Sequence, residues 1–387
     1  MRTPDLDRIL SAMLNTYEGV SDLNFSVGHP LQVEDYGELK PVLIDPPIDE
    51  LTPFQTEQVA LALMQGNRRL MRDYFLAGSC DCGYTLTDEA RFRVNIFRQQ
   101  GHFSIVMRKL QAIIPTLDSL GLSDIFREIV KEKNGLVLVT GATGSGKTTT
   151  LAAILNEVNE TQSVHVVTLE DPIEFIQPAG RATFNQRELG HDFDNYPNGL
   201  RAALRQAPKV IFVGEMRDRA TVEVALMAAE TGHLVFSTLH TVDAGQAINR
   251  ILGLFSLGEE QQLRLRLADT LRFIVSQRLA PKVGGGRQLL TEIMGSNLRT
   301  QESIALGENN TRNLYEIIEA SASFGWTTFD QSILGAYEAG MINEETARAF
   351  ASKRGRVTRG IDLLKKTQGF TDSDAGLRLD RSTKAAR

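Results

Sequence analysis

Apolar residues in the first 110 positions recur at two different spacings. Spacings of three and four residues predict helices over residues 5–18 and 55–65. Alternation of apolar and polar residues, broken by glycine and proline, predicts short strands within residues 21–33 and 38–44. A longer alternation over residues 91–110 predicts a β-hairpin. Together these patterns predict a small mixed α+β unit.

Near residue 122 the pattern changes to short apolar runs that alternate with helical segments. Such alternation is typical of a parallel sheet with crossover helices, in which the strand ends meet at one edge and ligands bind there. The predicted strands are residues 136–139, 164–170, 209–215 and 233–240, and each of the last three ends at a polar or charged residue. Residues 273–281 and 287–293 predict two antiparallel strands around three glycines, and residues 218–231 predict a helix closed by Gly232.

The C-terminal part of the chain is predicted to be helical. The helical segments after Ser296 are residues 313–320, 329–340 and 344–353. A chain of 387 residues is long for one core, so at least two domains are expected. The predicted divisions are an N-terminal domain over residues 1–110, a linker over 111–122, a second domain with a helical C-terminal part over 123–370, and a polar, disordered tail over 371–387.

A phosphate-binding loop is predicted at residues 141–148, which match G-x-x-x-x-G-K-[ST] between a buried strand and a helix. The glycines let consecutive backbone N–H groups point at phosphate oxygens, and the helix N-terminus adds a positive dipole. Lys147 would supply positive charge to the β- and γ-phosphates, and the Thr148 hydroxyl would bind Mg²⁺. The alternative is a glycine-rich turn that precedes a lysine by chance, but the flanking strand and helix favour nucleotide binding.

Two acidic segments follow predicted strands of the same sheet. Glu215 follows an apolar strand, where it can bind the magnesium shell or equally be a carboxylate favoured by a helix N-terminus. Glu170, Asp171 and Glu174 form a second cluster, in which Pro172 stops the strand and turns the chain. Hydrolysis needs a carboxylate that takes a proton from the attacking water. Without further context, the same cluster is also a common solvated turn.

Histidines and arginines supply further candidates. His233 precedes and His240 follows one buried strand; a histidine there can sense a γ-phosphate or fill a structural role. Arg91 and Arg93 share one face of a predicted strand, and Arg108 lies on its partner strand. Guanidinium groups on a separate domain can offset the charge of a transferred phosphoryl group. A solvated basic face or a nucleic-acid contact are the alternatives.

Composition narrows the class of protein. The net charge of −6 and the pI of about 5.7 argue against a dedicated nucleic-acid binder, because no overall basic excess is available to displace counterions. Cys80 and Cys82 are too few for a disulfide framework or a four-thiolate zinc site, and a reducing cytosol fits this usage. The sequence contains no apolar run of 18 residues, so we expect neither membrane insertion nor a secretion signal.

Four segments resemble, in order and at close spacing, the Walker A, Asp box, Walker B and His box of secretion ATPases: GATGSGKTTT, TLEDPIEF, KVIFVGEMRD and AAETGHLVFSTLHT. Within that superfamily the chain is most similar to the PilT family of type IV pilus retraction (twitching motility) ATPases, because SDLNFSVGHP and RFRVNIF are also similar to segments of that family. The resemblance implies a PAS-like α+β N-terminal domain and a RecA-like P-loop ATPase domain with ATP between them. It further implies that the chain forms a cytoplasmic homohexamer, which contacts the pilus platform protein at the inner membrane. A paralogous retraction ATPase is a possible partner.

The resemblance also implies roles for individual residues. Those implied to bind ATP in the phosphate loop are Thr143, Gly144, Ser145, Gly146, Lys147, Thr148 and Thr149. Glu174 corresponds to the catalytic glutamate, and Glu215, with Thr148, to the magnesium site. His233 and His240 belong to the His box. The remaining matches are the N-terminal arginines that reach the phosphates, Arg91, Arg93 and Arg108.

The chain departs from the family pattern after the last predicted strand. Near Thr300 it has RTQESIALGE, where retraction enzymes carry an AIRNLIRE-like segment. Two interpretations therefore remain, the main retraction motor and an accessory PilU-like paralogue. Assembly ATPases of pili and type II secretion usually add a four-cysteine zinc module, for which two cysteines do not suffice. A RecA-like nucleic-acid motor is the alternative from another class, and the acidic pI argues against it.

Overall fold

The computed structural model describes residues 3–45, 47–86, 90–110, 113–309 and 313–367. The tail expected to be disordered, residues 371–387, lies outside the described residues. The described chain forms two sheets, one of six strands and one of seven. Strand pairing within each sheet is continuous, and the chain completes the first sheet before it begins the second.

The first sheet is antiparallel throughout and has the strand order β3-β2-β1-β6-β5-β4. Its apolar face packs against three helices around a core that includes Leu10, Phe25 and Phe92. In chain order its elements are α1 Thr3–Leu14, β1 Val20–Phe25, β2 Gln32–Asp35, β3 Glu38–Pro41, α2 Pro53–Met64, α3 Arg68–Ala77, β4 Ser79–Leu86, β5 Ala90–Gln99 and β6 His102–Lys109.

The predicted hairpin of the N-terminal unit is β5 and β6, which turn through Gln100 and Gly101 in left-handed conformations. The first predicted helix ends at Leu14, four residues earlier than expected. Helix α3 and strand β4 were not predicted from the sequence. Cys80 and Cys82 lie on β4 as buried free thiols, and burial raises the pKa of Cys80 to about 11 and that of Cys82 to about 12.

The second sheet has the order β13-β12-β7-β11-β10-β8-β9 and is parallel except for β13. Helices cover both of its faces. In chain order the elements are α4 Ile125–Lys131, β7 Gly135–Gly141, α5 Lys147–Thr161, β8 His165–Glu170, β9 Thr183–Glu188, α6 Tyr196–Ala203, β10 Val210–Val213, α7 Arg219–Glu230, β11 Leu234–Leu239, α8 Ala244–Leu252, α9 Glu260–Thr270, β12 Leu271–Pro281 and β13 Arg287–Gly295.

Strand β7 shows why this sheet is buried on both sides. Leu136 and Leu138 pack into the core on one face, and Val137 and Val139 pack into the core on the other. Alternate residues of a strand point to opposite faces, so an uninterrupted apolar run is what a doubly covered strand requires. The four predicted parallel strands and the late antiparallel pair are confirmed, whereas β9 and helices α6, α8 and α9 were not predicted.

The elements that follow β13 are α10 Leu298–Leu306, α11 Leu314–Glu319, a 3₁₀ turn at Ala322–Phe324, α12 Phe329–Glu338, α13 Glu344–Phe350 and α14 Arg354–Thr367. The last three helices form a small core, in which Phe329, Ile333 and Ile361 pack with Ala280 of β12 and Leu290 of β13. Ile304 of α10 and Ile317 of α11 pack instead into the main core of the second sheet. The chain therefore has the predicted architecture, an α+β N-terminal domain followed by a RecA-like P-loop domain with C-terminal helices. The division at residues 110 and 122 stays a prediction.

Candidate functional site

The loop between β7 and α5 has the backbone geometry of a phosphate-binding loop. Gly141, Gly144 and Gly146 have φ values of 148°, 77° and 90°, a region that favours glycine. A Cβ atom at position 141 would lie 2.4 Å from the Ser145 hydroxyl oxygen, so the loop also needs glycine there for space. Helix α5 begins at Lys147, at the end of the loop. The free N–H groups and the positive dipole at its N-terminus are therefore directed at the space that the loop encloses.

Lys147 is buried beneath this loop. Its ammonium group donates to the carbonyl oxygens of Gly141, at 2.9 Å, and Ala142, at 3.0 Å. Burial lowers the pKa of Lys147, and the nearby Glu215 carboxylate opposes that shift. The loop therefore holds the ammonium group of Lys147 at the wall of the cleft.

A cleft of about 800 Å³ opens in front of the loop and is lined by residues of both sheets. Its size is that of an ordinary small-molecule site. Most of the predicted site residues line it: Arg93, Thr143, Gly144, Gly146, Lys147, Thr148, Thr149, Glu174, Glu215 and His240. The carboxyl ends of β7, β8, β10 and β11 converge on this cleft, as the parallel pattern predicted.

Glu174 lines the cleft with a carboxyl group whose pKa is shifted by its surroundings. Burial raises its pKa, while the Arg93 guanidinium and a hydrogen bond with the Thr148 side chain lower it. A carboxylate with a raised pKa is a stronger base. Asp171 lies in the same cleft, and burial raises its pKa too, against the pull of Arg93 and Arg69.

Glu215 lies at the centre of a polar group after β10. Its carboxylate is 2.8 Å from the Arg217 guanidinium and 3.4 Å from Nε2 of His240. The Thr238 hydroxyl donates to the Gly214 carbonyl at 2.6 Å, which joins the ends of β10 and β11 just behind this group. Glu215 and His240 are therefore held together by neighbouring parallel strands.

Glu170 also lines the cleft, but its hydrogen bonds give it a structural role. Its carboxylate is buried and accepts hydrogen bonds from the Thr168 hydroxyl, at 2.6 Å, and the Gln186 amide, at 3.1 Å. Burial raises its pKa to about 7, although both hydrogen bonds act against that shift. The bond from Gln186 joins β8 to the neighbouring strand β9.

Four predicted site residues do not line the cleft. Ser145 is a buried residue of the phosphate loop. Arg108 donates from Nε to the Asp22 carboxylate at 2.8 Å within the first sheet. Arg91 is paired with Glu188 at 2.5 Å, at a contact between the two domains. His233 lies at the other end of β11 from His240, where its Nδ1 lies 3.0 Å from the Ala228 carbonyl oxygen. Within this chain, the structure does not bring His233 to the nucleotide cleft.

Several lining residues were not given a role from the sequence, although Glu170 and Asp171 lie in the acidic cluster considered there. They are Asp81, Glu170, Asp171, Pro172, Tyr196, Phe212, Gly214, Arg217, Thr238, Leu279 and Arg287. Arg217 and Thr238 lie inside the recognised Walker B and His box segments, so their proximity to Glu215 and His240 was a usable signal. Asp81 and Arg287 carried no local signal, because strands from distant parts of the chain bring them to the cleft.

The fold and this cleft define a two-domain P-loop nucleoside triphosphatase. The family model of type II/IV secretion system proteins matches residues 83–335. The chain is 38% identical to the type IV pilus retraction ATPase PilT of Pseudomonas aeruginosa over 86% of this chain and 94% of that protein. It is 35% identical to the type IV pilus ATPase PilU of the same organism over 96% of this chain and 94% of that protein.

A solved structure of the pilus retraction motor PilT with bound ADP superimposes with a TM-score of 0.80 and 39% identity, covering 92% of this chain and 98% of that one. This chain belongs to the type II/IV secretion system protein family, a family of nucleotide-binding ATPases. Among the described residues, no helix is both long enough and apolar enough to span a membrane.

Proposed function

We propose that this chain is a Mg²⁺-dependent ATPase motor that drives retraction of type IV pili. The observation that carries the proposal is the convergence of Lys147, Thr148, Glu174, Glu215 and the N-terminal Arg93 on one cleft between the domains. The likeness to PilT, which is named as a retraction ATPase, extends over 94% of that protein and supports the direction of movement.

In the proposed reaction, a water molecule attacks the γ-phosphate of ATP, and ADP leaves with the electrons of the broken bond. Glu174 accepts the proton of the attacking water. Lys147 and the loop N–H groups bind the phosphates, and Arg93 offsets charge that develops on the transferred group.

A magnesium ion fits the residues present, because hydroxyl and carboxylate oxygens are the ligands that it prefers. Thr148 and Glu215 would hold it, the latter directly or through water, and it would neutralise charge on the β- and γ-phosphates. His240, 3.4 Å from Glu215, would orient that carboxylate.

The motor step follows from the position of the cleft. A ligand bound between two domains binds the closed arrangement better than the open one, so ATP binding and phosphate release shift a two-state equilibrium.

We propose that six copies form a ring that passes this change to the pilus platform protein at the cytoplasmic face of the inner membrane. Native mass measurement of the purified chain tests the ring; a monomer at working concentration would contradict it.

The similarity to PilU makes the accessory role the second candidate. The alignment with PilU covers 371 residues, against 331 for PilT, although at lower identity. Deletion of the gene, with counts of surface pili and twitching, separates these roles. Excess pili without motility is the expected result for the main retraction motor, near-normal retraction would indicate an accessory motor, and loss of pili would indicate assembly.

Turnover of ATP by the purified chain tests the enzyme itself. We expect Mg²⁺-dependent release of phosphate that does not change when single-stranded DNA is added. Stimulation by DNA would favour a nucleic-acid motor. Nucleotide binding without turnover would indicate a regulator that uses nucleotide only as a switch.

A further inference from the structure

Glu188, the last residue of β9, does not line the cleft, but its carboxylate lies at the contact between the two domains. It is buried, with 6% of its surface exposed. One oxygen accepts from the Gly83 backbone N–H at 3.1 Å, and the other accepts from the Arg91 guanidinium at 2.5 Å. Both donors belong to the N-terminal domain, on β4 and β5.

The same carboxylate also binds the segment that carries the proposed base. The oxygen that pairs with Arg91 accepts a hydrogen bond from the Ile173 backbone N–H at 3.1 Å. Ile173 stands between Pro172 and Glu174, which both line the cleft. One buried charge thus joins the N-terminal domain to the residue next to Glu174.

Local geometry shows that this contact is closely fitted. A Cβ atom at Gly83 would lie 2.9 Å from both carboxylate oxygens of Glu188, so a larger residue there would displace the carboxylate from the β4 backbone. The backbone N–H of Glu188 donates to the Asp192 carboxylate at 2.7 Å, which holds the end of β9 from the other side. The Asn67 side-chain amide, from the N-terminal domain, donates to the Gly190 carbonyl at 3.2 Å.

The strand that carries the paired Arg91 also carries a residue of the cleft. Arg91 and Arg93 lie two residues apart on β5 and therefore share one face. When Arg91 is bound to Glu188, the same strand places Arg93 in the cleft, where it lowers the pKa of Glu174 and Asp171. The ion pair with Glu188 and the arginine that acts on Glu174 therefore lie on the same strand.

We propose that Glu188 is a positioning residue that couples closure of the N-terminal domain to the placement of Glu174. When Gly83 and Arg91 reach Glu188, the carboxylate is fixed and holds the Ile173 backbone; when the domain moves away, that hold weakens. A buried carboxylate that loses its ion-pair partner raises the free energy of the structure. We therefore expect the segment around Ile173 to rearrange when Arg91 moves away. The link to catalysis rests on the proposed function, whereas the coupling between the domains does not.

Amide hydrogen exchange of residues 171–176 in the full chain tests the coupling directly. Arg91→Met changes only the N-terminal domain, yet we expect exchange of this segment to rise at least about tenfold. Gly83→Ala should act in the same direction. The matched control is Arg266→Met, which breaks the Arg266–Glu230 ion pair between α9 and α7. Equal exchange in Arg91→Met and the control would overturn the proposal.

Kinetics then test the positioning role. For Glu188→Gln we expect kcat to fall about tenfold or more while ADP affinity stays within about twofold, because the phosphate loop is untouched. Arg91→Met added to Glu188→Gln should lower kcat no further, since both remove one interaction. An additive loss, or wild-type kcat in Glu188→Gln, would overturn it. If the wild-type chain hydrolyses no ATP, the proposed function fails, while the exchange experiment still decides the coupling.

Discussion

Replacing Glu174 by glutamine is the sharpest test of the proposed chemistry. The amide has nearly the same shape as the carboxylate and can still accept a hydrogen bond from Thr148, but it cannot take a proton. Burial, which raises the pKa of Glu174, makes the carboxylate a stronger base than an exposed glutamate, so the loss should be large. General base catalysis contributes roughly 10²–10⁴ in rate, and we expect kcat to fall by at least about 100-fold.

Nucleotide binding should survive this change. Lys147 and the loop N–H groups do not depend on Glu174, so ADP affinity measured by calorimetry should stay within about threefold of the wild-type value. Phosphate release under saturating ATP gives kcat for the same preparation. Glu230→Gln is the control, because that carboxylate is paired with Arg266 outside the cleft. Full turnover in Glu174→Gln would remove Glu174 from the catalytic role.

Three further substitutions test other parts of the structure. Lys147→Met should weaken ADP binding at least about tenfold in calorimetry, because it removes the buried cation under the loop; unchanged affinity would contradict the loop assignment. Arg93→Met should move the acid limb of the kcat–pH profile to higher pH, since Arg93 lowers the pKa of Glu174 and the base works only when deprotonated; an unmoved limb would separate the two residues. Glu292→Gln should flatten the pH dependence of stability in urea unfolding. Burial raises the pKa of Glu292 from 4.5 to about 7, so its contribution is present below pH 4.5 and lost as the pH rises through 7. Between pH 5 and 8 the wild type should therefore lose roughly 2.5 kcal/mol more than the variant, and parallel curves would refute this.

Strand β7 and the phosphate loop could be predicted from the sequence because the requirements there are local. A doubly buried strand needs an unbroken apolar run, and the turn after it needs glycine at three close positions. By contrast, β9 was missed. Its residues, TFNQRE, are mostly polar because it is an edge strand that pairs only with β8. Helix α3 was missed because its apolar stripe is narrow, with only Leu70 and Tyr74 buried.

The sequence by itself determined the residue types of the site, namely the loop lysine, the acidic strand ends and the arginines of the hairpin. Only the tertiary structure decided which of them meet. Arg91 and Arg93 share one strand face, but Arg93 enters the cleft while Arg91 is bound by Glu188, 97 positions away in the sequence. His233 and His240 lie just beyond the two opposite ends of strand β11, so only His240 reaches the cleft. Spacing along a strand determines the face of a side chain, whereas its partners come from elements that only folding brings near.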